Sequence, residues 1–178
     1  MPSDCGQDKF VLDTLNNKRN GYWLELGCQG PISSSNTQVL ELEYNWKGIS
    51  IDINQSYIDQ WAGVRNTDML FCANALLLNY EELLEKLNAP KEIDYLSIDL
   101  EPPPVTFAAL DKIPFHKYKF KVITFEHDHY RQDFLSFDLK NKSQKFFNNL
   151  GYKMVPENII NSYHSNISLA ESWYTLND

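Results

Sequence analysis

Five apolar runs in this chain end in glycine or polar residues, and those ends hold most of the groups able to do chemistry. Tyr22 to Leu26 is followed by Gly27, Ile49 to Ile53 contains Asp52 near its end, and Met69 to Ala73 is followed by Asn74. Ile93 to Ile98 runs into Asp99-Leu100-Glu101, and Phe120 to Phe125 into Glu126-His127-Asp128-His129. A glycine leaving a strand lets a ligand approach the backbone, because no Cβ stands in the way. Asp52 lies 25 residues beyond Gly27. An acidic residue at about that distance suits a sugar diol, since one carboxylate accepts two hydroxyl hydrogens at once. The amide of Asn74 suits a base edge. His127 is the natural proton acceptor near neutral pH. Glu126, Asp99 and Glu101 are the alternative bases, or, in a less favoured reading, ligands that hold a divalent ion.

These residues need a frame that brings strand ends together. Helical patterns fall between the apolar runs: Phe10 to Asn16, Ser35 to Tyr44, Tyr57 to Trp61, Tyr80 to Leu87, Val105 to Leu110 and Asp138 to Leu150. Leu83, Leu84 and Leu87 share one face of the fourth, with Glu81, Glu82, Glu85 and Lys86 opposite. Ser35 with Gln38 reads as a capping box, and Gly151 as a helix stop. Tyr152 to Val155 and Ser172 to Leu176, aromatic and β-branched, read as two closing strands. This alternation predicts an α/β fold, a doubly wound, mostly parallel seven-stranded sheet with helices on both faces. Ligands of such sheets bind beyond the carboxyl ends of the strands, where strand order reverses.

Composition narrows the classes. With 178 residues, no internal repeat and no Gly/Ser/Pro-rich linker, residues 1–178 read as one domain. A formal charge of −8 disfavours broad phosphate-backbone binding, so no nucleic-acid partner is expected. The stretch His116 to Lys121 reads as a solvated approach to a strand. No apolar run approaches the roughly 18 residues of a membrane span, and Met1 to Lys9 lacks the pattern of a signal peptide. Cys5, Cys28 and Cys72 are widely spaced, which points to reduced thiols in a cytoplasmic protein and away from a zinc knuckle. Trp23, Phe71 and Tyr95 read as core, whereas Tyr130, Tyr163 and Trp173 are candidates to line an acceptor pocket.

Gly27-Cys28-Gln29-Gly30 keeps one glycine of the GxGxxG fingerprint and lacks the rest, and Pro31 removes a backbone donor. Nor is there a GxxxxGK[ST] loop. A pyrophosphate-bearing cofactor needs such a cradle, so a nicotinamide oxidoreductase is disfavoured. An adenosyl ligand without phosphates fits, with Asp52 on the ribose and Asn74 by the adenine.

The order of these motifs resembles the class I S-adenosylmethionine-dependent methyltransferases, and the local wording is similar to their FkbM-like branch. The resemblance runs through Gly6 to Val11, Gly21 to Gly27, Ser35-Asn36-Thr37, Leu40-Glu41, Trp46 to Ile49, Ile93 to Glu101, Val122 to His127 and Glu171 to Tyr174. It implies a seven-stranded sheet whose last strand is antiparallel, and S-adenosylmethionine as cofactor. Glu25 and Gly27 would lie along its methionine part, Asp52 at the ribose, and Ile53 and Asn74 at the adenine. Cys28, Asn36 and Asp99 complete the implied cofactor set. The implied activity is methylation of a small-molecule or glycan hydroxyl, with a non-transferring binding module as the alternative. Two departures stand out: Gly30-Pro31 replaces the family's acidic residue and glycine, and Pro102-Pro103-Pro104 follows Glu101 in place of Gly-x-Glu. The triple proline is expected to prevent an immediate helix.

Overall fold

The computed structural model describes residues 3–131 and 134–176, with side chains described for all of these except 134–137. Met1 and Pro2, at the head of the stretch read for a leader, lie outside them. The seven strands are β1 (Tyr22–Leu26), β2 (Lys47–Asp52), β3 (Leu70–Cys72), β4 (Glu92–Ile98), β5 (Lys119–Glu126), β6 (Tyr152–Met154) and β7 (Glu171–Leu176). They form one sheet in the order β3-β2-β1-β4-β5-β7-β6. β1 to β5 are mutually parallel, and β7 runs antiparallel to both β5 and β6. The chain winds outward from β1 to β3 and restarts at β4, so the reversal of strand order lies between β1 and β4.

The helices are α1 (Gln7–Thr14), α2 (Gln38–Tyr44), α3 (Gln55–Asp59), α4 (Tyr80–Lys86), α5 (Pro103–Ala109), α6 (Phe134–Asn149) and α7 (Glu157–Tyr163). One face of the sheet buries Leu24, Leu26, Ile51, Leu96, Ile123 and Phe125 against Leu84 of α4, Ala109 of α5 and Phe147 of α6. The other buries Trp23, Tyr95, Val122 and Trp173 against Phe10 and Val11 of α1, Leu40 of α2 and Ile160 of α7. β1 is buried along its whole length, as expected of a parallel strand covered on both sides. No described helix is long and apolar enough to cross a membrane.

Two local expectations need correction, and one helix was not foreseen. The proline run opens α5: Pro102 is the extended N-cap and Pro103 the first helical residue. Proline is tolerated there because the first-turn N–H groups have no intrahelical acceptor to lose. α2 starts at Gln38 with Thr37 as its N-cap, and Ser35 does not cap it in a box; its hydroxyl accepts from Arg65 and from the Thr37 N–H. α7 has no counterpart in the sequence reading. Gly151 does follow the end of α6 with a φ of 88°, the left-handed conformation of a helix stop.

Candidate functional site

Above the carboxyl ends of β3, β2, β1 and β4 lies an open cleft of about 430 Å³, a size ordinary for small-ligand sites. Gly27, Asp52, Ile53, Asn74, Asp99 and Glu101 all line it. Gln29, Asn54, Tyr57, Leu76 and Val105 join them, and the sequence reading did not single these out. Gln29 and Asn54 are close neighbours of chosen residues, a proximity that could have been used. Tyr57 and Val105 arrive on α3 and α5, and nothing local marks them.

Gly27 is required for a different reason from the one expected. Its φ is 86°, and a Cβ there would stand 1.7 Å from the Asp99 carbonyl oxygen. The restriction comes from the neighbouring β4 backbone and from the left-handed conformation. Asp52 is 6% exposed and holds its carboxylate with two backbone donors. The Gln29 N–H donates to Oδ2 at 2.9 Å and the Asn54 N–H to Oδ1 at 2.8 Å. Each oxygen retains acceptor capacity for one further donor. Ile53 is 69% exposed at the same wall, and Asn74 Oδ1 accepts from the Leu76 N–H. The amide nitrogen of Asn74 is therefore its free-to-donate end. Thr106 of α5 bonds both the N–H and the carbonyl of Leu100, pinning the wall opposite. The charged lining residues are Asp52, Asp99 and Glu101; none of the described lining residues is Lys or Arg.

Glu25, Cys28 and Asn36 do not line the cleft. A polar row crosses the sheet beneath the β1–α2 loop, through Ser50, Glu25, Ser97 and Thr124 in register on β2, β1, β4 and β5. Glu25 Oε2 accepts from the hydroxyls of Thr37 and Ser50, and Asn36 donates to Ser97 Oγ at 3.1 Å. Burial lifts the Glu25 carboxyl to about 7, against the pull of Arg65 and its two hydroxyl donors. Cys28 is buried, with its thiol pushed up by the same desolvation.

Beyond β4, β5 and β7 lies a second acidic group. The Asp99 and Glu126 carboxyls contact one another: burial and the Asp128 charge raise Asp99 against the lowering pull of Glu126, while burial and Asp99 lift Glu126 to about 11. Two desolvated carboxylates in contact share a proton. Carboxylate oxygens of Glu101, Glu126 and Asp128 lie within 4.8 Å of one another. Arg131 joins this group, 2.5 Å from Asp128 Oδ2 and 3.2 Å from Glu101 Oε1. Glu171 of β7, lifted to about 7 by burial and the nearby Asp99, accepts from Gln7 and from the Trp173 indole.

His127 does not fit the role of base. It has no exposure to solvent, its Nδ1 accepts from the His129 N–H at 3.2 Å, and its Nε2 lies 3.0 Å from Ser172 Oγ. With Nδ1 accepting, the proton sits on Nε2 and points at the serine hydroxyl. Burial, with Lys140 and His129 nearby, depresses its pKa to about 3. Trp173 is also core, stacked on Phe10 at 4.5 Å, and Tyr163 meets the same pair edge-on. Lys117 and Lys121 are matched by Glu81, Glu85, Glu92 and Asp94.

No protein-family pattern and no characterised sequence matches the chain. Solved structures do. A SAM-dependent methyltransferase from Archaeoglobus fulgidus aligns at a TM-score of 0.50 with 18% identity, over 94% of this chain and 92% of that one. One from Geobacter sulfurreducens, solved with S-adenosyl-L-homocysteine, aligns at 0.52 with 12% identity, over 97% and 90%. An rRNA methylase from Streptococcus thermophilus aligns at 0.53 with 11% identity, over 96% and 94%. The fold is that of the class I methyltransferases. At these identities the likeness is one of architecture.

Proposed function

We propose that this chain is an S-adenosylmethionine-dependent methyltransferase acting on a hydroxyl of a small molecule or sugar, and that it belongs with the FkbM-like branch whose motifs it resembles. One observation carries the reading. Asp52 stands at the end of β2 in an open cleft with spare acceptor capacity on both oxygens, and the charged groups described around that cleft are all carboxylates. Such a lining repels a pyrophosphate and attracts a ligand bearing sulfonium and ammonium charges. Ile53, Tyr57 and Leu76 supply apolar surface for a purine, and Asn74 supplies a donor for its ring nitrogens.

Bound there, the cofactor supplies an electrophilic methyl group. The protein's part is alignment and proton removal. Asp52 would hold the ribose hydroxyls. Asp99 faces the cleft with Glu126 behind it as the protonated partner, so Asp99 would take the proton that the acceptor hydroxyl gives up. A carboxylate whose pKa is raised by burial is a stronger base than a solvated one. Glu101, at the exposed rim and tethered by Arg131, orients the acceptor. An RNA acceptor is less well supported: the cleft is acidic, and Lys117 and Lys121 are already paired.

Calorimetry with S-adenosylhomocysteine tests this directly. The expected result is binding by the wild-type chain, at least about tenfold weaker binding by Asp52→Ala, and no response to NADH. Absence of heat with the wild type would remove the reading.

A further inference from the structure

The β1–α2 loop, Cys28 to Thr37, carries Gln29 into the cleft but contains no helix or strand. Two of its residues, Gln29 and Ser34, have left-handed φ values of 49° and 61°. Pro31 cannot donate a backbone hydrogen bond. Such a segment loses much conformational entropy when ordered, so its ordering must come from outside. It comes from residues between α3 and β3.

Trp61 is buried, and its indole N–H donates to the Gln29 carbonyl at 2.9 Å. Four residues on, Arg65 has no side-chain exposure and lies with its guanidinium 4.1 Å from the Trp61 ring centroid. Its Nη1 donates to Ser35 Oγ and its Nη2 to Thr37 Oγ1, each at 2.9 Å, while Nε donates to Glu41 at 2.7 Å. One end of the loop is thus held by Trp61 and the other by Arg65. The two side chains are stacked together, which makes them one unit. The unit reaches the cleft through Gln29, whose N–H is one of the two donors that orient the Asp52 carboxylate.

We propose that Arg65 and Trp61 are positioning residues that hold the β1–α2 loop, and through Gln29 the Asp52 carboxylate, in ligand-ready form. The assignment rests on the adenosyl ligand proposed above. Neither side chain lines the cleft. Both act from beneath it, and the planar fork of Arg65, unlike an ammonium, reaches three acceptors on two elements at once.

The test uses Arg65→Lys and Trp61→Phe, which keep the charge and the aromatic packing respectively, with Asp52→Ala as the control for ligand binding itself. S-adenosylhomocysteine affinity is measured by calorimetry, and hydrogen exchange is followed along the chain with and without ligand. Each positioning variant is expected to bind about tenfold more weakly, the worth of one lost hydrogen bond. Exchange should quicken across residues 28–37 while β1 and β4 stay protected, and saturating ligand should restore slow exchange in the loop. A role confined to overall stability would instead raise exchange throughout and leave the affinity of the folded protein unchanged. Wild-type affinity in both variants, with binding lost in Asp52→Ala, overturns the positioning role and leaves the methyltransferase reading standing. Failure of the wild type to bind overturns both. Should Arg65→Lys not fold, wild-type affinity in Trp61→Phe suffices to overturn the clamp.

Discussion

Two acidic regions flank the cleft, and they are built on opposite terms. Glu25, under the β1–α2 loop, has an enclosed cation nearby in Arg65 and two hydroxyl donors of its own. Asp99, Glu126, Asp128 and Glu171, beyond β4, β5 and β7, crowd together with Arg131, whose side chain is 39% exposed. The first group is a satisfied network that rigidifies its surroundings. In the second, burial and neighbouring carboxylates lift Glu126 and Glu171, and Glu126 holds the proton it shares with Asp99. Crowding of that kind costs stability, and it is the arrangement by which active sites lift carboxylate pKa values.

The contrast can be broken most forcefully at Arg65. Arg65→Met leaves Glu41 without its cation and Glu25 without a nearby one. Removal of one partner from a buried ion pair costs about 3–5 kcal/mol. The urea midpoint should fall accordingly, and a loss under about 1 kcal/mol would mean that the first group is no better compensated than the second.

At the second group the loss should be of rate. Asp99→Asn removes the proposed base and one of the crowded charges. Turnover on an acceptor found by screening should drop by about 10²–10⁴-fold, with the melting temperature unchanged or raised. A marked fall in stability with turnover retained would reverse the assignment.

Titration sharpens the comparison further. Glu25 and Glu171, with folded values of about 7, sit above the ordinary carboxylate value, so the native state holds their protons longer than the unfolded chain. Their contribution is fully present below about pH 4.3 and is lost as pH rises toward 7. Asp99 and Glu126 act in the same direction. His127 opposes them: depressed to about 3, it contributes stability above about pH 6.5 that is lost as pH falls. Several raised acids against one lowered histidine predict a melting temperature that declines from pH 5 to pH 7. A rise over that interval in a calorimetric series would show that the acids are ionised and compensated.

The smallest effect is expected at Glu126. Glu126→Gln resembles the protonated carboxyl, so stability at pH 5 should change by no more than about 0.5 kcal/mol, and the decline toward pH 7 should become shallower. An unaltered slope would place the proton elsewhere.

The strands were legible because their signal is local. Apolar runs such as Tyr22–Leu26 and Ile93–Ile98 need only their own residues to be recognised. That Asp52, Asn74 and Asp99 gather at one cleft was legible for a related reason: in a parallel sheet the residues that follow the strands stand together at one edge. α7 was not, since Glu157–Tyr163 mixes polar and apolar residues and its pairing with α1 lies far along the chain. Arg65, in the polar stretch Arg65-Asn66-Thr67-Asp68, gave no sign of being buried. Glu25 and His127 carried the right chemistry, yet their surroundings consume it.

By itself, then, the order of residues determined the alternation of strands and helices and the row of polar groups that must gather at one edge of the sheet. Both follow from spacing along a single strand or helix. Only the folded chain decided which of those groups share the cleft, which are enclosed with a cation, and which are forced to share a proton. Desolvation and pairing depend on what arrives from elsewhere: β7 against His127, α5 against Leu100, and the α3–β3 connection against the loop after β1.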